Sequence, residues 1–224
     1  MSEGQRRSVA VLGGTGNLGQ GIALRLAMAG HAVTIGSRQA DRANASAAAL
    51  SQSAGAPIVG TTYADAAAVA EIVFLAVPFA SQSEVLDQVA AHLAGKILVD
   101  TTVPLVPPKV ARVQLPVGGS AAVIVQMLLG DSVRVVSALQ NVAAAHLREP
   151  GHAIDCDVLV TGDDKAARGE VIALIEAMGL RGWHAGPLAN STVAEAMTSV
   201  LIFLNKTYGI DGAGIRITGT PTIA

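Results

Sequence analysis

Residues 8–19 read Ser-Val-Ala-Val-Leu-Gly-Gly-Thr-Gly-Asn-Leu-Gly, and this stretch is the strongest indication of the fold class. A short β-branched run ends in glycines spaced as G-x-G-x-x-G, at Gly14, Gly16 and Gly19, and a helical pattern follows at once. This order is typical of the first βα turn of a dinucleotide-binding fold, where glycines turn the chain sharply and let a pyrophosphate approach the backbone. The helix N-terminus then offers N–H groups and its positive dipole end to the anion. We predict dinucleotide binding here, against the alternative of a purely structural glycine turn.

Outward from this loop, short β-branched runs alternate with alanine-rich helical stretches up to about residue 139. Such alternation predicts an α/β fold with a doubly wound, mostly parallel Rossmann-type sheet, whose ligand crevice lies at the carboxyl ends of the strands. The predicted strands cover residues 8–12, 32–35, 58–61, 72–77, 97–100 and 133–138. The predicted helices between them cover residues 18–29, 41–53, 64–70, 83–94 and 120–129.

Beyond residue 139 the pattern changes to an alanine-rich loop followed by a shorter series of elements. We expect strands over 157–161 and 180–183 and helices over 165–178 and 193–208. The chain is therefore predicted to comprise an NADP-binding Rossmann domain over residues 1–139 and a small C-terminal α/β domain over 140–224.

The end of the second strand predicts which nucleotide is bound. An NAD enzyme places Asp or Glu there to accept hydrogen bonds from the ribose hydroxyls. Here the strand ends Gly36-Ser37-Arg38, without an acid, and Arg42 follows four residues after Arg38. A hydroxyl and two guanidinium groups would hold a 2′-phosphate through charge-assisted hydrogen bonds. We predict a preference for NADP; the alternative is that both arginines are solvated residues at the start of a helix.

Composition excludes several other classes of protein. The formal net charge is −2 with 14% charged residues, so no strong field would attract nucleic acid or an anionic membrane. The longest apolar runs, 72–80 and 200–204, fall well short of the roughly 20 residues of a membrane-spanning helix. One cysteine, Cys156, and five scattered histidines predict neither a disulfide nor a metal site. The polar start lacks the apolar core of a signal peptide, which predicts a cytoplasmic protein.

The catalytic side chains of other reductases are missing. A short-chain dehydrogenase needs a tyrosine with a lysine four residues on, but Tyr63 and Tyr208 are followed by Ala67 and Gly212. A 6-phosphogluconate-type dehydrogenase needs a large helical domain, for which about 85 residues are too few. A cofactor loop without an acid or base suits direct hydride transfer between two redox coenzymes, with the protein supplying position and exclusion of water. No residue is therefore predicted to be catalytic.

Four stretches resemble the F420-dependent NADP oxidoreductases, which pass hydride between NADP(H) and the 8-hydroxy-5-deazaflavin coenzyme F420. In the nucleotide half they are 12–19 and Gly36-Ser37-Arg38; in the distal half they are 136–139 and 185–191, helped by Gly162-Asp163-Asp164. The resemblance runs from about residue 9 to 214. It implies that NADP(H) and coenzyme F420 are the two coenzymes, and the family is typically dimeric.

The resemblance also implies roles for particular residues. Thr15, Gly16, Asn17 and Leu18 would line the pyrophosphate, while Ser37, Arg38 and Arg42 would take the 2′-phosphate. Val77 and Val103 would flank the ribose and nicotinamide, and residues Gln140 to Ala144 would border the place where nicotinamide and deazaflavin stack. The loop departs from the family pattern, which carries histidine and proline where this chain has Gln140 and Ala143; we expect Gln140 to donate a hydrogen bond to a carboxamide or ring carbonyl.

Two alternative functions are also consistent with the sequence. The same cleft could serve an NADPH-dependent reductase of FMN or FAD, or the chain could be a non-enzymatic NADPH sensor in which the missing histidine marks lost catalysis. Asp163 and Asp164 are predicted to cap the helix near residue 165. Asn190 and Ser191 are equally well explained as caps of the last helix or as ligand contacts.

Overall fold

The computed structural model describes residues 6–222. Residues 1–5 and 223–224 lie outside the described part. The prediction that the chain starts without a signal peptide rests partly on residues 1–5. Eight strands are present in this part of the chain: β1 (Ser8–Leu12), β2 (Ala32–Ser37), β3 (Ile58–Thr62), β4 (Ile72–Leu75), β5 (Ile97–Asp100), β6 (Arg134–Ser137), β7 (Asp157–Gly162) and β8 (Arg181–His184). The α-helices are α1 (Asn17–Met28), α2 (Ala40–Ala54), α3 (Tyr63–Val69), α4 (Gln82–Val89), α5 (Ala121–Leu129), α6 (Ala144–Arg148), α7 (Lys165–Ala177) and α8 (Ser191–Tyr208).

All eight strands form one sheet in the order β3-β2-β1-β4-β5-β6-β7-β8. The first six are parallel, and the order reverses between β1 and β4, where a doubly wound sheet opens its crevice. β7 runs antiparallel to β6, and β8 runs parallel to β7. The predicted doubly wound, mostly parallel sheet is thereby confirmed, and the C-terminal segment extends that same sheet.

Alternation along the strands divides the core between two faces. Val9 and Val11 of β1 pack in a cluster with α1, α2, α6 and α7. Ala10 and Leu12 of the same strand pack in a second cluster with α3, α4 and α5. Because both faces are covered by helices, the central strands are apolar except at their ends, as in other parallel sheets.

Local structure differs from the sequence prediction in three places. The predicted alanine-rich loop contains α6, which is too short to show a helical period. The predicted strand over 72–77 ends at Leu75, so that Val77 lies in the loop beyond the strand. The predicted helix over 83–94 consists of α4 and a 3₁₀ turn over Ala90–His92.

Candidate functional site

The phosphate loop after β1 is built by glycines that lie against neighbouring strands. Gly13, with φ of 85°, has a backbone conformation that favours glycine, and its N–H donates to Gly36 O at 3.1 Å. A Cβ at Gly13 would overlap Ala76 O, and one at Gly14 would lie 2.5 Å from the Ile35 Cβ. The turn therefore occupies the space between the carboxyl ends of β2 and β4, and only bare backbone fits there.

The N-terminus of α1 is open toward this loop. Gly16 is its N-cap and has no side chain to bind the first N–H groups, and the first turn holds no acidic residue. Gly16 and Asn17 are exposed, while Gly19 packs so closely that a Cβ there would overlap Gly13 O and lie 2.9 Å from Gly13 C. An uncapped, positively polarised helix end beside glycine backbone fits a pyrophosphate.

The residues predicted for the 2′-phosphate lie at the end of β2. Ser37 is buried at the last position of the strand, and its Oγ accepts from Gln39 N at 3.3 Å. Arg38 and Arg42 are both exposed, and within residues 6–222 neither guanidinium takes part in an ion pair. Burial raises the pKa of Tyr63, and the nearby charge of Arg38 opposes that shift. Both arginines thus follow β2 closely, at the carboxyl edge of the sheet.

The loops after β4, β5 and β6 carry the residues predicted for the nicotinamide end. Val77 follows β4 and is buried, Val103 follows β5 and is half-buried, and Gln140 follows β6 and is buried. Because these strands are parallel, their loops lie on the same edge of the sheet as the phosphate loop. Ala144 is the first residue of α6, which packs against α1.

Gln140 is bonded differently from the sequence prediction. Its Nε2 donates to Asp100 O at 2.9 Å and to Ser137 Oγ at 2.8 Å. Both amide hydrogens are therefore used inside the protein, and the expectation that Gln140 donates to a ligand is wrong. The side chain instead ties the carboxyl end of β6 to that of β5. The preceding residue, Leu139, has a φ of 74°, an uncommon conformation for a residue with a Cβ and one that clusters at functional sites.

Two buried carboxyl groups behind this edge of the sheet were missed by sequence reasoning. Asp100 ends β5 with no exposed surface and accepts from Gln82 Nε2 and from the N–H and hydroxyl of Thr102. Glu195 of α8 accepts from the N–H groups of Ala121 and Ala122, at 2.7 and 3.1 Å. Glu195 thus fastens α8 to the N-terminus of α5.

Burial shifts the pKa of both carboxyl groups upward. Burial raises the pKa of Asp100 to about 7, in spite of the hydrogen bonds from Thr102. Burial also raises the pKa of Glu195 to about 6, although the N–H groups at the start of α5 favour its charged form. Their mutual repulsion adds to the shift of Asp100. The native state therefore retains protons that the unfolded chain, with carboxyl pKa values of about 4, has released.

This difference predicts a pH dependence of stability. The two carboxyl groups contribute to the free energy of unfolding. Their contribution is fully present below about pH 4 and is lost as the pH rises to about 7, because deprotonation then favours the unfolded chain. We expect Asp100→Asn, which cannot ionise, to reduce the loss of unfolding free energy between pH 5 and pH 8 by at least about 1 kcal/mol. Urea denaturation at both pH values measures this. An identical loss in wild type and variant would contradict the assignment.

Four further sequence candidates make structural contacts, and the helix-cap interpretation is confirmed for one of them. Asp164 caps α7, because its Oδ1 accepts from Ala167 N at 2.7 Å, as predicted. Asp163 does not cap α7; its Oδ1 accepts from Leu188 N at 2.9 Å and thereby holds the 3₁₀ turn before α8. Asn190 and Ser191 make no side-chain cap: the former donates to Ala185 O, and the Ser191 hydroxyl bonds that of Ser120.

Other parts of the surface were compared with this edge as possible functional sites. A groove of about 460 Å³ lies between α7 and the start of β1, at the opposite, amino end of the strands, and contains none of the predicted residues. Among residues 6–222 no three His, Cys, Asp or Glu side chains are grouped to hold a metal ion. In the same part of the chain, no helix combines the length and the hydropathy needed to cross a membrane.

Within residues 6–222, a glycine phosphate loop and two arginines without an ion-pair partner lie at the carboxyl edge of a doubly wound sheet, which is typical of a nucleotide-binding protein of the Rossmann class. Residues 8–104 match the family model described as NADP oxidoreductase coenzyme F420-dependent. The F420-dependent NADP reductase of Methanocaldococcus jannaschii is 39% identical over 219 residues, covering 94% of this chain and 97% of that protein. The chain therefore belongs to the family of F420-dependent NADP reductases.

Two further proteins agree with this assignment. The F420-dependent NADP reductase of Methanothermobacter thermautotrophicus is 37% identical over 221 residues, which cover 95% of each chain. The crystal structure of a candidate F420-dependent NADP reductase from Arthrobacter sp. FB24 superposes with a TM-score of 0.79 at 32% identity, covering 95% of this chain and all of that one. The similarity thus includes the C-terminal elements as well as the nucleotide half.

Proposed function

We infer that this chain catalyses reversible hydride transfer between NADP(H) and coenzyme F420. The observation that carries the inference is an open phosphate loop together with two guanidinium groups just after β2 that form no ion pair within residues 6–222, in a chain similar along 95% of its length to an F420-dependent NADP reductase. Bound together, the two coenzymes supply the chemistry, a hydride passing between C4 of the nicotinamide and C5 of the deazaflavin. The reduced deazaflavin also takes up one proton, which water supplies, so the exchange needs no acid or base from the protein.

The experiment that tests this function is a steady-state assay at the deazaflavin absorbance band. Purified protein is mixed with NADPH and oxidised coenzyme F420, with FMN in a parallel cell. We expect bleaching that requires the protein and far exceeds the rate with FMN. Inactivity with the deazaflavin and turnover of FMN would indicate a flavin reductase, and binding of NADPH without either reaction would indicate a sensor.

Within this function we assign the site as follows. Thr15, Asn17 and Leu18 bind the pyrophosphate through backbone N–H groups and the helix dipole. Gly14 and Gly16, whose own N–H groups donate to Val11 O and Gly13 O, let the anion approach the backbone of the loop. Ser37, Arg38 and Arg42 bind the 2′-phosphate, which is supported by their place at the end of β2 and their lack of other charged partners.

The nicotinamide end is bounded by apolar and structural groups. Val77 and Val103 flank the ribose and the ring, and their apolar surfaces exclude water from the path of the hydride. Gln140 holds β5 and β6 together beneath the ring through its bonds to Asp100 O and Ser137 Oγ. Ala144 borders the stacking position from α6. The family's histidine is thus replaced by a side chain that fixes the loop without contacting the hydride.

The same proposal includes a division into domains and a cellular location. Residues 1–139 form the NADP-binding domain, and residues 140–224 complete the deazaflavin cleft from the other side of β6. We place the protein in the cytoplasm, which is supported by a single, buried cysteine, Cys156, that needs no disulfide partner.

We also propose that the protein is a homodimer. The supporting observation is an apolar stripe on α8, where Val193, Val200 and Phe203 are 55%, 49% and 54% exposed and share one helical face. Exposed apolar faces of this kind mark contact sites between proteins, and a two-fold axis would cover the same stripe on both copies.

A charge on this stripe should separate the two copies. We expect Phe203→Glu to convert a dimer into a monomer, because the carboxylate would be buried without a partner at the interface. Light scattering coupled to size-exclusion chromatography gives the mass. Lys165→Gln, which changes the net charge by the same amount at the exposed start of α7, is the control and should stay dimeric. A Phe203→Glu protein with wild-type mass would exclude this face as the interface.

A further inference from the structure

The C-terminal half places a guanidinium directly on the phosphate loop. Arg148, the last residue of α6, is exposed, and its Nη1 donates to Asn17 Oδ1 at 2.8 Å. Asn17 is the first residue of α1 and belongs to the glycine loop after β1. A cation from the C-terminal half therefore contacts a residue of the phosphate loop in the N-terminal half.

The position of Arg148 is fixed by its surroundings. The guanidinium of Arg25, on α1, donates to the carbonyls of His146, Leu147 and Glu149 at the end of α6, at 2.9 to 3.1 Å. α6 also packs so closely on α1 that a Cβ at Gly21 would lie 2.9 Å from the Leu147 Cβ. The backbone that carries Arg148 is consequently held against the first turns of α1.

Two groups of the same sign lie together here, the guanidinium of Arg148 and the positive end of the α1 helix dipole. Arg148 forms no ion pair within the described residues; the carboxylates of Glu149 and Asp211 lie 3.5 Å from His152 Nδ1 and 3.4 Å from His146 Nε2. The first turn of α1 holds no acid. A guanidinium beside the positive end of a helix dipole is repelled by it, and an anion bound between the two removes that repulsion. The arrangement therefore favours a bound anion at the start of α1.

We propose that Arg148 binds the pyrophosphate of NADP(H), and that its hydrogen bond to Asn17 Oδ1 directs the amide N–H groups of Asn17 toward the same anion. The proposal rests on the NADP site described above and adds a residue from the C-terminal half to it. Because the pyrophosphate is common to NADPH and NADH, Arg148 strengthens the binding of both equally. Arg38 and Arg42, by contrast, meet only the 2′-phosphate of NADPH.

The test is a fluorescence titration of the protein with NADPH and with NADH, without F420. We expect Arg148→Ala to raise both dissociation constants about tenfold and to leave their ratio unchanged, as the loss of one charged hydrogen bond implies. Affinity should also fall less steeply with added salt than in the wild type, because one screened contact is gone. Arg148→Gln retains a donor for Asn17 but no charge, and we expect it to lose most of the same affinity.

Arg134→Ala is the matched control. This guanidinium also makes one hydrogen bond, in its case to the backbone carbonyl of Gly95 at 2.9 Å, but it lies at the amino end of β6. It should leave both dissociation constants unchanged.

Three results would overturn the proposal. Dissociation constants of Arg148→Ala within twofold of wild type would mean that the residue only fastens α6 to α1. Full recovery by Arg148→Gln would mean that orientation of Asn17 matters and the charge does not. Unchanged dissociation constants for NADPH and NADH, together with a raised KM for coenzyme F420, would assign Arg148 to the binding of coenzyme F420. Failure of the proposed function would appear separately, as wild-type protein that binds NADPH without reducing F420.

Discussion

Arg38→Ala should weaken binding of NADPH by about 10- to 100-fold while leaving NADH almost unchanged. The guanidinium is exposed at the end of β2 and has no carboxylate partner in the described part of the chain. Hydrogen bonds to charged groups contribute about 1.5–3 kcal/mol each, which corresponds to this range of affinity. NADH lacks the 2′-phosphate, so the substitution removes nothing that it uses.

Titration with both nucleotides measures this effect, and the ratio of the two dissociation constants is the quantity that matters. Arg181→Ala is a suitable control, because Arg181 lies over the Trp183 ring at 4.1 Å at the far edge of the sheet. It should leave the ratio unaltered. If Arg38→Ala weakened both nucleotides by the same factor, the 2′-phosphate would not lie at the end of β2. The contrast with Arg148→Ala, expected to weaken both equally, separates the two phosphate sites.

The parts of the site that could be predicted from sequence are those built by residues close together in the chain. The turn from β1 to α1 and the end of β2 each depend on a few consecutive residues, and their glycines and arginines show the chemistry directly. Even there the prediction was incomplete. The motif began at Gly14, but the residue with positive φ is Gly13, where the backbone of Ala76, just after β4, leaves no room for a Cβ.

The parts that were missed depend on contacts between distant residues. Arg148 and Asn17 are 131 residues apart, and Glu195 is 74 residues from the helix end that it caps. No local pattern signals either pair. The five-residue helix that carries Arg148 forms because Arg25 binds its carbonyls, a tertiary effect that outweighs weak local propensity. Gln140 was found but given the wrong partner, because sequence cannot show which groups its amide faces.

Gly19→Ala should have the largest effect on the fold and the site together. A Cβ at this position would overlap Gly13 O and lie 2.9 Å from Gly13 C and Gly14 Cα, all of them backbone atoms that cannot rotate away. α1 would have to move off the loop, which we expect to cost roughly 3 kcal/mol of unfolding free energy, at the upper end of overpacking effects. The same movement displaces the helix N-terminus from the pyrophosphate, so NADPH and NADH should both lose most of their affinity.

A second glycine provides the matched comparison. Gly169 lies within α7, and a Cβ there would have no heavy atom within 4 Å. Gly169→Ala should therefore gain up to about 1 kcal/mol of stability from the better helix former and leave nucleotide binding unchanged. Urea denaturation and NADPH titration of the two variants measure both quantities. Opposite signs of the stability change would show that contact with the phosphate loop, and not helix propensity, requires glycine at position 19. If Gly19→Ala behaved like Gly169→Ala, α1 would not approach the loop as closely as the structure has it, and the anion site at its N-terminus would lose its geometric basis.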